Sequence, residues 1–221
     1  MSALRESLAA LFPAVGDAPE LVPPLRPVPP DHRGRRSAVL MLVVGADADS
    51  AEVLVAERAA GLRSQPGQFA LPGGGAEPAD ADDIATALRE AEEETGLDPR
   101  GVDALGAFAP VAMPWRGYDV VPVVAWAARR PGGLRADGIE TDRLVWARLR
   151  GERSLTDPAV RCRATMDGAA VGPAFDLADG AFVWGFTAHL LDGLLGRLGL
   201  LPEGARRADV RRAEVPPERR R

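Results

Sequence analysis

The sequence predicts a single α/β domain, on three observations. Apolar runs of strand length recur along the chain, three separate stretches read as helices, and the 221-residue length suits one domain of this kind. A chain this long buries roughly 70% of its unfolded surface, so it folds without disulfide or metal staples.

Residues 1–15 read as a short amphipathic helix, with Leu4, Leu8 and Leu11 on related faces. Six prolines between Pro19 and Pro30, followed by Arg33, Arg35 and Arg36, mark an extended arm outside the core. Such an arm can wrap a partner subunit, so a homodimer is one expectation. The run 37–44 is the first strand and 52–58 the second, joined as a hairpin. Residues 61–75 read as a loop ending in three glycines. Over 82–94, Ile84, Ala87, Leu88 and Ala91 follow helical spacing, and Gly96 supplies the C-cap. Later strands are expected at 104–111, 120–127 and 143–149, and a last helix over 184–198. The tail 201–221 has seven arginines against four acids and little to bury, which predicts disorder. The chain thus divides into an N-terminal helix with a proline-rich arm (1–36), the folded domain (37–200) and a basic tail (201–221).

Composition excludes several chemistries. The lone Cys162, read as lying in a polar loop away from histidine, excludes a disulfide framework, thiolate metal sites and a cysteine nucleophile. His32 and His189 are far apart, and His189 reads as a structural residue of the last helix. Any metal is therefore expected on carboxylates. All 27 basic residues are arginine, so neither a P-loop lysine nor a Schiff base is available. A net charge of -5 argues against nucleic-acid binding through phosphate contacts. No apolar run reaches the roughly 18 residues of a membrane span, and Arg5 and Glu6 interrupt the N-terminal stretch. The expectation is a cytoplasmic protein that binds a small molecule and neither membrane nor nucleic acid.

The most informative stretch is Arg89-Glu90-Ala91-Glu92-Glu93-Glu94-Thr95-Gly96-Leu97. On a helix, Glu90, Glu93 and Glu94 stand at i, i+3 and i+4 and share one face, whereas Glu92 points to solvent. Like charges at this spacing repel, and oxygen-only ligation selects hard cations, Mg²⁺ or Mn²⁺, which also bind phosphates. Arg89 lies four residues before Glu93 and can fix its rotamer. Glutamate runs are commonly just solvated faces. Here, however, the run coincides with a glycine-rich loop and a glycine stop at defined spacing.

This stretch resembles the box of the Nudix family, G-x5-E-x7-R-E-U-x-E-E-x-G-U, where U is aliphatic. Gly75, Arg89, Glu90, Ala91, Glu93, Glu94, Gly96 and Leu97 match it. The isolated box glutamate falls on Ala81, with Asp80, Asp82 and Asp83 around it as candidate helix caps and first-turn acids. The resemblance implies an α/β/α sandwich with a mixed β-sheet and hydrolysis of a nucleoside diphosphate linked to another moiety. It further implies Glu90, Glu93 and Glu94 as ligands of Mg²⁺ or Mn²⁺, with Glu90, Glu93 and Arg89 as catalytic residues. Glu140, on another loop, is an alternative base.

Two outer regions resemble the coenzyme A diphosphohydrolase branch of that family, L-L-T-x-R-[SA]-x3-R-x3-G-x3-F-P-G-G and W-G-x-T-A. Arg58, Ala59, Arg63, Gly67 and Pro72-Gly73-Gly74 fall in register with the first pattern, with Val55, Ala56 and Leu71 as departures. Trp184, Gly185, Thr187 and Ala188 match the second. The implied reaction splits coenzyme A or its derivatives into 3′,5′-ADP and 4′-phosphopantetheine. Arg58, Arg63, Gly73, Gly74 and Gly75 are then the expected substrate contacts, because guanidinium forks and bare backbone suit phosphates. Trp184 is expected to pack under the last helix rather than stack on a base. Alternatives are another diphosphate substrate, such as ADP-ribose or a dinucleotide, or a non-catalytic nucleotide-binding domain.

Overall fold

The computed structural model describes residues 2–13, 17–201 and 210–220. Its elements are α1 (Ala3–Ala9), β1 (Arg35–Val44), β2 (Glu52–Arg58), β3 (Phe69–Ala70), β4 (Gly73–Gly75) and α2 (Asp83–Thr95). There follow β5 (Asp103–Ala107), β6 (Val111–Met113), β7 (Tyr118–Ala127), β8 (Thr141–Arg148), β9 (Arg161–Met166) and β10 (Ala169–Asp176). The chain ends with β11 (Phe182–Val183), α3 (Gly185–Arg197) and β12 (Arg212–Glu214).

The main sheet is mixed. β1 runs parallel to β7 in register from Arg35↔Tyr118 to Val44↔Ala127, while β2 and β4 pair antiparallel with it. A continuous apolar run suits β1 because both of its faces are covered. Ala38, Leu40 and Leu42 face α2 together with Val121 and Val123. Met41 and Val43 face the opposite layer with Leu190, Leu191 and Leu194 of α3. The fold is thus α/β, with helices on both sides of a mixed sheet.

Several expectations are corrected. Cys162 is not in a loop: it lies in β9, 2% exposed, within a second antiparallel sheet of β11, β10, β9 and the parallel β12. Val160, Cys162 and Ala164 alternate with Arg161, Arg163 and Thr165, the period-two pattern of a strand, although its polar half carries two charges. The signal that marks this hairpin is Asp167-Gly168, both at positive φ, the turn that two-residue hairpins favour. The described part of the tail is ordered. Although 202–209 fall outside the described residues, β12 forms and Val215 is fully buried with Ala164, Ala174 and Phe182. Finally, α1 is a core element. Leu4 and Leu8 are 3% and 0% exposed, and Phe12 stacks on Phe108 with ring centroids 4.8 Å apart. The start of the proline arm packs on the domain: the Pro19 carbonyl accepts a bond from Ala109 N at 2.9 Å, and buried Leu21 covers Gly193 of α3. The region expected as one strand over 104–111 is split into β5 and β6, both antiparallel to β7.

Candidate active site

α2 begins where Asp82 accepts a bond from Ala85 N at 2.8 Å, and it ends at Gly96 in the left-handed region. Small Ala87 and Ala91 let the helix approach the sheet closely, so the carboxylates of the same turns are pressed against β4.

β4 is bare for two different reasons. A Cβ at Gly73 would overlap the backbone of Ala38 and Val39 on β1. At Gly74 it would overlap the Glu90 carboxylate. Gly75 has open space around it, and its carbonyl accepts Arg89 Nη2 at 2.9 Å. Gly73 N donates to Glu94 Oε2 at 3.2 Å.

The three box glutamates separate. Glu94 is buried, and desolvation pushes its carboxyl up to about 8, with Glu90 and Glu140 adding repulsion while Gly73 N–H and Arg58 oppose the shift. Burial likewise raises the Glu90 carboxyl against the pull of Arg89, 3.0 Å away. Glu93 is 60% exposed and bonds Arg89 Nη1 at 3.2 Å on the outer side of the helix. Glu92 is exposed, as its position on the helix predicts.

Arg89 joins this cluster to the loop before the helix. Its Nε and Nη2 reach Asp80 at 3.0 and 3.1 Å, and the hydrogen bonds hold the Asp80 carboxyl well below the usual carboxylate range. Asp80 also accepts from Thr86 Oγ1 at 2.9 Å and from Glu77 N. Asp80 is therefore no helix cap; Asp82 fills that role, and Asp83 forms a bidentate pair with Arg36. Ala81 is exposed. The sequence hides this because three acids within four residues offer no spacing rule to choose among them.

Arg58 and Arg63 bracket the site unequally. Arg58, at the end of β2, is half-buried, reaches Ser64 O at 3.4 Å and acts on Glu94. Arg63 is exposed on the loop beyond it. Glu140 sits in a turn organised by Asp137, whose carboxylate accepts from the backbone N–H of Ile139, Glu140 and Thr141 at 2.8–3.0 Å. The turn is tied to the Arg58 side by Ala59 N, which donates to Glu140 O at 2.8 Å. Trp184 packs against Cys162 and Val215. His189 lies against Gly172, and burial lowers its pKa.

Among the described residues, no three acidic, imidazole or thiol groups form a closed cation cage. Mg²⁺ rarely needs one, since it is commonly held by one or two carboxylates and completed by substrate phosphates and water. Glu90 and Glu94, crowded and desolvated beside bare backbone, have the chemistry of such an open site.

Residues 34–150 match the model of the NUDIX domain. The protein NudL of Pectobacterium atrosepticum, named an uncharacterized Nudix hydrolase, is 40% identical over 109 residues, 49% of this chain and 54% of that protein. The chain thus spans about half the length of that relative. The NudL protein of Salmonella paratyphi B is 32% identical over 179 residues, 76% of this chain and 85% of its own length. A solved Nudix hydrolase from M. smegmatis, RenU, aligns with a TM-score of 0.40 at 27% identity, over 52% of this chain and 71% of that one. No helix among the described residues is long and apolar enough to cross a membrane. Matched over more than half of its length, the chain belongs to the Nudix family.

Proposed function

We propose that the protein hydrolyses the diphosphate of coenzyme A or its derivatives to 3′,5′-ADP and 4′-phosphopantetheine, with Mg²⁺ or Mn²⁺. The observation that carries the reading is the pairing of Glu90 and Glu94 against Gly73 and Gly74, beside a loop with arginines at the coenzyme A positions.

In this reading Glu90 and Glu94 would hold the cation, with Glu93 as a further candidate ligand from the same turn. The cation supplies charge neutralisation for the diphosphate oxygens and lowers the pKa of the attacking water. Arg89 orients Glu90 and Glu93 while tying the helix to Asp80 and Gly75. Glu140, whose backbone N–H is held by the Asp137 carboxylate, stands on another loop as the candidate base. Gly75, with open space around it, leaves room for a phosphate, and the Arg58 and Arg63 guanidinium groups receive its oxygens. The folded unit that does this is 37–200, to which α1, β12 and Val215 add core contacts.

Product analysis with coenzyme A, ADP-ribose and a dinucleotide, each with Mn²⁺, tests the assignment. Formation of 3′,5′-ADP that disappears in Glu90→Gln and Glu93→Gln supports it. Cleavage of ADP-ribose or the dinucleotide alone keeps diphosphate hydrolysis and overturns coenzyme A as substrate. Cleavage of none overturns the catalytic reading.

A further inference from the structure

Residues 210–220 return across the molecule to the segment that joins β2 to β3. β12 is held beside β9 by its ladder, and Glu214 accepts from Thr165 Oγ1 at 2.6 Å and from Asp167 N at 2.8 Å. Beyond buried Val215, the Arg219 carbonyl accepts Gln68 Nε2 at 3.0 Å. The Arg219 guanidinium lies 5.0 Å over the Phe69 ring and 3.4 Å from Glu57. Arg143 covers the same ring at 5.2 Å and pairs with Glu57 at 2.7 Å. One ring and one carboxylate are thus shared by two guanidinium groups. The Arg219 side chain is only 12% exposed, and its Nη1 is buried with no hydrogen-bond partner among the described residues.

Gln68 and Phe69 close the loop that carries Arg63. Arg58 and the loop's end are in turn locked together, with Arg58 N donating to Gln68 O and Gly67 N to Arg58 O, each at 2.9 Å. Whatever fixes Gln68 and Phe69 therefore fixes the frame from which Arg58 and Arg63 project.

We infer that Arg219 is a positioning residue and that the C-terminal segment is a strap setting the conformation of residues 59–68. Through this loop it sets the affinity for the anionic end of the substrate. The inference rests on reading the site as one for a nucleoside diphosphate derivative. Loss of the Arg219 side chain leaves Glu57 paired with Arg143, and it leaves β12 and Val215 docked, so the fold survives it.

The test compares the wild type with Arg219→Ala, Arg219→Lys and, as a control, the exposed Arg212→Ala, by steady-state kinetics and by hydrogen exchange of 59–68. Arg219→Ala is expected to raise KM for coenzyme A about tenfold with kcat within about twofold, a loss of uniform binding. Exchange across 59–68 is expected to quicken by a similar factor. Arg219→Lys recovers part of both effects, and Arg212→Ala matches the wild type. Unchanged exchange overturns the strap, and quickened exchange with unchanged KM overturns its role in substrate binding. If the wild type cleaves no substrate, the substrate reading fails, and the exchange result alone decides whether the strap exists.

Discussion

Asp80 and Arg89 form a two-pronged pair across the start of the helix, at 3.0 and 3.1 Å, although nine residues separate them. The Asp80 side chain is 7% exposed and lies next to position 81, where alanine stands in place of the box glutamate. Asp80→Ala is expected to lower kcat about 10- to 100-fold by freeing Arg89 from the loop, as losses of ligand-orienting partners commonly do. Ala81→Glu is expected to leave kcat within about threefold, because the Arg89 fork is already filled. A large gain for Ala81→Glu would mean that Asp80 substitutes poorly.

The three glycines of β4 respond differently to a methyl group. Gly74→Ala displaces the Glu90 carboxylate and is expected to weaken Mn²⁺ binding by about tenfold or more while leaving the fold intact. Gly75→Ala meets open space and is expected to bind like the wild type. Gly73→Ala strikes the β1 backbone and lowers the melting temperature instead. Titration of Mn²⁺ by electron paramagnetic resonance, with a thermal melt of each variant, separates the three.

Burial of Glu94 predicts a pH dependence of the metal-free protein. Its carboxyl is pushed up to about 8 from an ordinary value of 4.5, so in between the folded state holds a proton that the unfolded chain has released. The contribution is complete below the unfolded value and is lost as pH rises through 8. Glu94→Gln keeps the shape and removes the titration. In chelator it is expected to melt about 5 °C or more above the wild type near pH 8.5, and to converge with it near pH 5. An equal difference at both values contradicts this account.

Cys162 is expected to resist alkylation. Burial pushes its thiol up to about 11 from an ordinary 9.0, which cuts the thiolate fraction roughly a hundredfold at pH 8 before access is considered. Iodoacetamide labelling followed by mass spectrometry is expected to be slow in buffer and fast in denaturant. Rapid labelling of the folded protein would place Cys162 outside the second sheet.

Leu8 gives the test of α1 as a core element. It is fully buried, so Leu8→Ala is expected to cost about 2–5 kcal/mol and to lower the melting temperature by about 5–15 °C. A helix lying loosely on the surface would show almost no change on calorimetry.

Much of this architecture is legible in the residues, and the exceptions share a cause. The run 52–58, the helix over 82–94 and its Gly96 cap are local patterns, and each element forms within a residue or two of its expected place. The resemblance of Gly75 and Arg89–Leu97 to the Nudix box also pointed to the family. The pairings of Arg89 with Asp80, Arg36 with Asp83 and Arg219 with Glu57 are tertiary. They depend on how a loop, a strand and the C-terminal segment fold back beside α2 and β2, and no period in the sequence encodes that. Val215 is one apolar residue in a basic tail, below any threshold of pattern, until β9 gives it a partner.

The parallel ladder between β1 and β7 bears on how the chain is made. About eighty residues separate the partners Val44 and Ala127. At roughly 5–20 residues per second of synthesis, this edge of β1 waits about 4–16 s for its neighbour. Through that interval an apolar strand stands half-covered, protected on the other side only by β2 and β4 and flanked by the charges of Arg35 and Arg36. Such flanking charges act as gatekeepers against association between nascent chains. Replacing these two arginines with apolar residues would therefore tell first in the soluble yield of newly made protein, before any effect on the finished molecule.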